Sequence, residues 1–266
     1  MIDANISYTL LKDYRQCHRM VYLKHIIKVI PLDRVNHRNY IVGIAADWLF
    51  SKWITEEAYE PEWMYKKADA IFLWFAKKKF IKYRSDNDRE QLMMKLQASV
   101  QQLEACAITM GLPERKLEAQ KRVSLTEEGL NFYSKLDLWF PEEHKIIDLK
   151  ITKDKKYLDP TQLCFYAWML RKKSEQVDSA EFLSPLMPEY LIECDVSLTA
   201  VEEFEEGLWE DVNKMKEGQW DQSSKDCYGC QVMKFCEIET SEYMQNVMRR
   251  ESAGFSFDVG KVENNG

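Results

Sequence analysis

Apolar positions recur at helical spacing through the first part of the chain and switch to strict alternation near residue 117. Leu10, Leu11, Tyr14, Cys17, Val21 and Tyr22 predict a helix over residues 6–28. Residues 40–55, 62–83 and 88–110 predict three more, the last ending near Gly111 and Pro113. Leu117, Ala119, Lys121, Val123 and Leu125 then alternate with Glu118, Gln120 and Arg122, the period of a strand. Glu127-Glu128-Gly129 marks a turn, residues 130–140 a second strand, Pro141-Glu142-Glu143 another turn and residues 145–151 a third strand. Asp159 as N-cap and Pro160 as first helical residue predict a helix to Lys172. Residues 189–196 read as a fourth strand, and Thr199-Ala200-Val201-Glu202 has capping-box form and opens a helix to Lys216. The expected class is α/β (α+β): a small mixed sheet flanked by helices, preceded by a helical region.

Composition narrows this modestly. A chain of 266 residues, 45% hydrophobic and 30% charged, buries one good-sized core. No apolar run is long enough to span a membrane, and the N-terminus lacks a basic start followed by an apolar stretch. A cytoplasmic, reducing location is therefore expected, where seven cysteines serve as thiols or metal ligands rather than disulfides. The net charge of -7 does not mark a nucleic-acid binder, although a basic groove can sit on an acidic protein. Basic runs at residues 77–84, 150–156 and 171–173 read as solvated faces. Trp48, Trp53, Trp63 and Trp74 are expected mainly in a helical core rather than stacked on bases. His18, His25, His37 and His144 form no ligand or triad spacing, and no phosphate-binding Gly-rich loop is present.

Two constellations carry chemistry. In Ile146-Ile147-Asp148-Leu149-Lys150, side chains two apart share a face, so Asp148 and Lys150 point together and Ile147 and Leu149 point away. Asp137, between Leu136 and Leu138, adds a second embedded carboxylate. Charges on buried strands require a partner. Two carboxylates and a lysine suit Mg2+ or Mn2+, which polarises a phosphate and acidifies a bound water. A plain ion pair between Asp148 and Lys150 satisfies the same pattern. The other constellation is Cys17 with Cys227, Cys230 and Cys236, spaced Cys-x2-Cys-x5-Cys. Four thiolates suit a [4Fe–4S] cluster or tetrahedral zinc. Cys106, Cys164 and Cys194 read as buried thiols.

Asp137, Asp148 and Lys150, followed by Gln162-Leu163-Cys164-Phe165-Tyr166, resemble the PD-(D/E)xK nuclease superfamily in its RecB-like branch, with its Gln-xxx-Tyr motif. Tyr14-Arg15-Gln16-Cys17-His18, with the late cysteine run, resembles members that carry an iron–sulfur cluster, such as AddB nuclease domains and CRISPR-associated exonucleases. The chain departs at Ser134, where the family usually has Gly, at His18, where it has Pro, and at Asp47, where Gly43-Ile44-Ala45-Ala46-Asp47 stands for Gly-xxx-His. The resemblance implies a restriction-endonuclease-like core and a DNA exonuclease acting on single strands or ends. Asp137, Asp148, Asp47 and Glu118 would hold Mg2+ or Mn2+, Lys150 would assist the attacking water, and Gln162 and Tyr166 would support the site. Cys17, Cys227, Cys230 and Cys236 would hold a structural [4Fe–4S] cluster, with zinc the lesser fit. Implied partners are DNA and proteins of recombination, replication, repair, phage DNA metabolism or CRISPR adaptation. The alternative is a DNA-end-binding or partner-binding subunit of a larger nuclease assembly. One nuclease domain over residues 1–254 is expected, with a helical part (1–112), a catalytic part (113–217), a cysteine segment (218–240) and a disordered tail (255–266).

Overall fold

The computed structural model describes residues 5–26, 38–57, 59, 60, 62–78, 83, 85–220, 232 and 236. They fall into two compact units: residues 35–207, and residues 1–34 with 208–266. The expected tail at 255–266 lies outside the described residues.

Residues 35–207 carry five strands in spatial order β1-β2-β3-β4-β5. β1 (Glu118–Glu127) and β2 (Leu130–Phe140) form an antiparallel hairpin whose turn residues, Glu128 and Gly129, have φ of 49° and 76°. Positive φ at both central positions is the primed turn that matches strand twist. β3 (Lys145–Leu149) pairs antiparallel with β2 and parallel with β4 (Ser179–Leu183), which pairs antiparallel with β5 (Leu191–Cys194). The parallel step needs a crossover, and α6 (Pro160–Lys172) supplies it. The sheet is mixed, as the sequence pattern predicts, and the 145–151 strand ends two residues early, at Leu149.

Three helices cover one part of this sheet: α3 (Arg38–Thr55), α4 (Trp63–Lys78) and α5 (Asp86–Thr109). Their Leu49, Trp53, Phe72 and Leu96 share a core with Leu138, Phe140, Ile147, Leu149 and Leu183 of the strands. Each such large apolar side chain contributes about 1.5–3 kcal/mol when fully buried. Ile147 and Leu149 thus face the helical core, which commits Asp148 to the other face. Of the tryptophans, Trp53 is fully buried and Trp48 and Trp63 pack against this core, whereas Trp74 is half exposed. Phe132, also on β2, instead packs edge-on against Trp168 of α6. Simple alternation along β2 is therefore broken between Phe132 and Leu138, across Asp137.

Residues 1–34 with 208–266 form the other unit. The predicted helix over 6–28 is in fact interrupted. α1 (Tyr8–Gln16), capped by Ser7 Oγ, ends at Cys17, whose extended backbone (φ −164°, ψ 114°) separates it from α2 (His18–Val21). A π turn, Tyr22–Ile26, follows. Tyr14 stacks on His18 with ring centroids 4.0 Å apart and donates its hydroxyl to the Gln219 carbonyl at 3.1 Å. Trp220 meets the rings of Tyr14 and Tyr22, and Arg15 pairs with Asp211 at 2.6 Å. The division between the units falls within α7 (Leu198–Lys216). That helix is opened by Ser197 Oγ, which accepts from Ala200 N–H at 3.2 Å, not by the Thr199 box.

Candidate active site

Every element of the candidate site belongs to residues 35–207. The central strand β3 presents Asp148, 2% exposed. Lys150, one residue past the strand, reaches back to place Nζ 2.6 Å from Asp148 Oδ2. Apart from this ion pair, Asp148 Oδ2 takes no hydrogen bond, although it is buried. The other oxygen accepts from Gln162 Nε2 at 3.1 Å. Gln162 and Tyr166 lie one turn apart on α6, and the Gln162 amide also donates to the Tyr166 hydroxyl. Ser134, which stands where the family usually has Gly, is buried and lies beside the Tyr166 hydroxyl. Asp159 caps α6 through Oδ1, 3.3 Å from Thr161 N, and so sets the phase that aims Gln162 and Tyr166 at Asp148.

Asp137 reaches the same place from β2. Its Oδ2 accepts the Leu149 N–H at 2.8 Å, so the backbone of β3 fixes its orientation. Asp47 comes from α3, with Lys135 Nζ 3.9 Å from its Oδ2. One side chain joins these two carboxylates: Gln120 of β1 lies with Nε2 3.1 Å from Asp47 Oδ1 and 3.3 Å from Asp137 Oδ1. Gln120 is a functional candidate that the strand pattern hides, since its place among Glu118 and Arg122 reads as an ordinary polar face. Glu118 is not brought to this group; it is exposed and pairs with Lys121 at 3.2 Å.

The loop after β3 is fixed from beneath. Ser184, fully buried, donates its hydroxyl to the carbonyls of Lys150 (3.0 Å) and Thr152 (2.9 Å), and Lys150 N–H bonds the Leu183 carbonyl. Lys150 therefore has a rigid root.

The electrostatics follow from burial and crowding. Burial, with the Asp137 charge second among the raising causes, lifts Asp148 to about 7 against the pull of Lys150. Burial and then Asp137 lift Asp47 to about 6. Asp137 is itself raised, chiefly by burial. Burial disfavours the Lys150 charge, but Asp148, Asp137 and Asp47 together reverse this and raise its pKa. Burial and then the carboxylates push the Tyr166 phenol well up, so it stays a neutral hydrogen-bonding group. Three carboxylates that resist ionising together invite a cation.

Among the described residues, no three His, Cys, Asp or Glu side chains form a ready-made metal cage. The donor set nonetheless fits a hard divalent ion in kind. All three carboxylates offer oxygen, and Asp148 Oδ2 is met only by the Lys150 ammonium.

Of the four cysteines assigned to a cluster, Cys17 and Cys236 are described, both half-buried, and both belong to the unit of residues 1–34 and 208–266. Cys227 and Cys230 lie outside the described residues. Of the remaining thiols Cys164 is buried, while Cys106 and Cys194 are half-buried rather than fully enclosed.

Adjacent inner strands of a mixed sheet thus deliver two carboxylates, and the residue after one of them a lysine, to one point. The chain belongs to the PD-(D/E)XK nuclease superfamily, whose sequence model matches residues 5–237. No curated protein sequence matches it. Among solved structures the fold is similar to that of a protein of Eubacterium rectale provisionally assigned as an exonuclease. The TM-score is 0.54 and the identity 14%, over 85% of this chain and 86% of that one. Among the described residues no helix is long and apolar enough to cross a membrane.

Proposed function

We propose that this member of the superfamily is a Mg2+- or Mn2+-dependent deoxyribonuclease of the RecB-like type. It removes nucleotides from single-stranded DNA or DNA ends in the cytoplasm and carries a structural [4Fe–4S] cluster. The observation that carries the catalytic reading is the convergence of Asp47, Asp137, Asp148 and Lys150 on one spot, backed by Gln162 and Tyr166. Exonuclease action is supported by the provisional assignment of the Eubacterium rectale protein with the similar fold.

In this reading Asp47, Asp137 and Asp148 would hold the metal, which would supply Lewis acidity for the phosphate and for a water. The chain's own groups supply the rest. Lys150, kept charged by its carboxylate neighbours, orients the water and offsets charge on the phosphate in the transition state. Gln162 holds Asp148 Oδ1, which leaves Oδ2 turned to Lys150 and the reacting atoms. Tyr166 and Ser134 buttress Gln162 from within α6 and β2.

The cluster reading rests on four cysteines, on the family likeness around Tyr14 and Cys17, and on Cys17 and Cys236 sharing one compact unit. A cluster there would tie the first turns of the chain to residues more than 200 positions later, a closure with a large entropic gain in principle. Linear and circular single-stranded DNA, end-labelled where possible, separates the modes of cutting in Mg2+ and Mn2+. Loss of the linear substrate alone supports an exonuclease; cutting of circles adds endonuclease action; binding without cutting favours a DNA-end-binding subunit of a larger assembly.

A further inference from the structure

We infer that Gln120 is a positioning residue for divalent-cation binding, holding the Asp47 and Asp137 carboxylates in facing orientation. The inference rests on the cation-dependent reading above and assigns a role to a residue that carries none of the family motifs.

Two independent features single Gln120 out. The first is its backbone. Gln120 has φ +56° near the start of β1, a left-handed conformation that is rare for a non-glycine residue in a strand. It falls between the pairs Ala119↔Leu138 and Lys121↔Leu136, opposite Asp137. Such conformations cost about 1–3 kcal/mol and persist where the surroundings enforce them. The cost is located where the alternation of β2 also breaks, and its effect is to turn the Gln120 side chain onto Asp137.

The second feature is what the side chain does there. Its amide nitrogen meets one oxygen of Asp47 and one of Asp137, from a helix and a strand far apart in sequence. The two acceptors decide which end of the amide faces them, because only the NH2 group can donate. An amide supplies two N–H groups without adding charge. It can bind both carboxylates and still leave lone pairs on each oxygen for a metal. A lysine in its place would compete with the cation; a glutamate would add a fourth carboxylate to the repelling group. Hydrogen bonds to metal-ligating carboxylates fix their orientation, and losing such a partner typically weakens metal affinity about 10–100-fold. Lys135, 3.9 Å from Asp47, is too loose to replace Gln120, and Leu149 N–H fixes only the other oxygen of Asp137.

The test measures Mn2+ affinity calorimetrically on EDTA-treated, re-purified full-length protein. Gln120→Gly is the primary variant, because glycine adopts φ +56° without strain and so removes the amide while sparing the backbone. Gln120→Met, of similar length and without the amide, is the second. Both should weaken Mn2+ binding by about tenfold or more, with Gln120→Gly melting in EDTA like the wild type. Mn2+ affinity in either folded variant within about twofold of wild type, below the range expected for such a partner, overturns the inference while leaving the cation-dependent reading intact. Wild-type protein that binds no Mn2+, alongside an equally inert Asp137→Asn control, overturns both. Activity is not needed for any of these outcomes.

Discussion

Leu149 donates its backbone N–H to Asp137 Oδ2 at 2.8 Å, so the strand that carries Asp148 also aims the carboxylate of its neighbour. The bond couples two site residues through main chain rather than through flexible side chains. Asp137→Ala leaves that N–H without its acceptor and is expected to lower stability by about 1–3 kcal/mol. Asp137→Asn keeps an acceptor and removes a repelling charge, so it should melt at or above wild type at pH 8 in EDTA. Both should lose DNA cleavage. Thermal melts of the pair beside wild type check the order; Asn melting below Ala would contradict it.

Lys150 is the countercharge of a buried carboxylate. Lys150→Met strands Asp148 at pH 8, where breaking a buried pair costs about 3–5 kcal/mol, and the 26% exposure of the Lys150 side chain favours the lower end. At pH 5 the deficit should shrink, because Asp148, raised to about 7, is then protonated and neutral. Denaturant melts at the two pH values read this directly. An equal loss at both would remove the ion pair from the account.

The same carboxylates link metal binding to pH. Asp47 and Asp148 keep their protons in the folded chain up to about pH 6 and 7, whereas an unfolded Asp releases its proton near pH 4. The folded state then holds more protons between these limits, so their contribution to stability falls as pH rises through about 4–7 and levels off above. A bound divalent cation removes the repulsion. Mg2+ or Mn2+ should therefore raise the melting temperature more at pH 8 than at pH 5, and Asp148→Asn should gain on wild type over the same span in EDTA. A cation effect larger at pH 5 would contradict this.

Much of the fold is legible in the order of residues because local chemistry decides it. Asp159 and Pro160 open α6 where capping rules put them, and β2 occupies its predicted span. β4 escapes notice: Ser179-Ala180-Glu181-Phe182-Leu183 alternates over only four residues, and Glu181 looks wrong for a buried strand. It is held by ladders on both sides, and its charge is met by Lys145 at 2.7 Å. The break at Cys17 and the π turn after it are equally silent, since helical spacing of apolar residues continues across both. At the site, Asp137, Asp148, Lys150, Gln162 and Tyr166 are visible as a motif, and Asp47 by its place in one. Gln120 is visible only in three dimensions: its role comes from a backbone conformation and from facing Asp137 across the hairpin.

The cysteine set has its own signature. Anaerobically purified protein should be brown, with iron near four per chain if a [4Fe–4S] cluster is present. Cys17→Ala should lower iron content, solubility and melting temperature together. A colourless, zinc-loaded protein would replace the cluster by zinc, and an unchanged melt with intact cofactor would exclude Cys17 from the site.

The most direct test of the central claim is the rate of single-stranded DNA digestion in Mn2+ by Asp148→Asn beside wild type, with melting and circular dichroism confirming that both are folded. Asn preserves shape and the Gln162 contact but not the charge that a metal and Lys150 require. The account predicts a folded variant whose cutting rate falls by about a hundred- to a thousandfold, the scale of losing a main electrostatic contributor. A folded variant that digests DNA at the wild-type rate would contradict it.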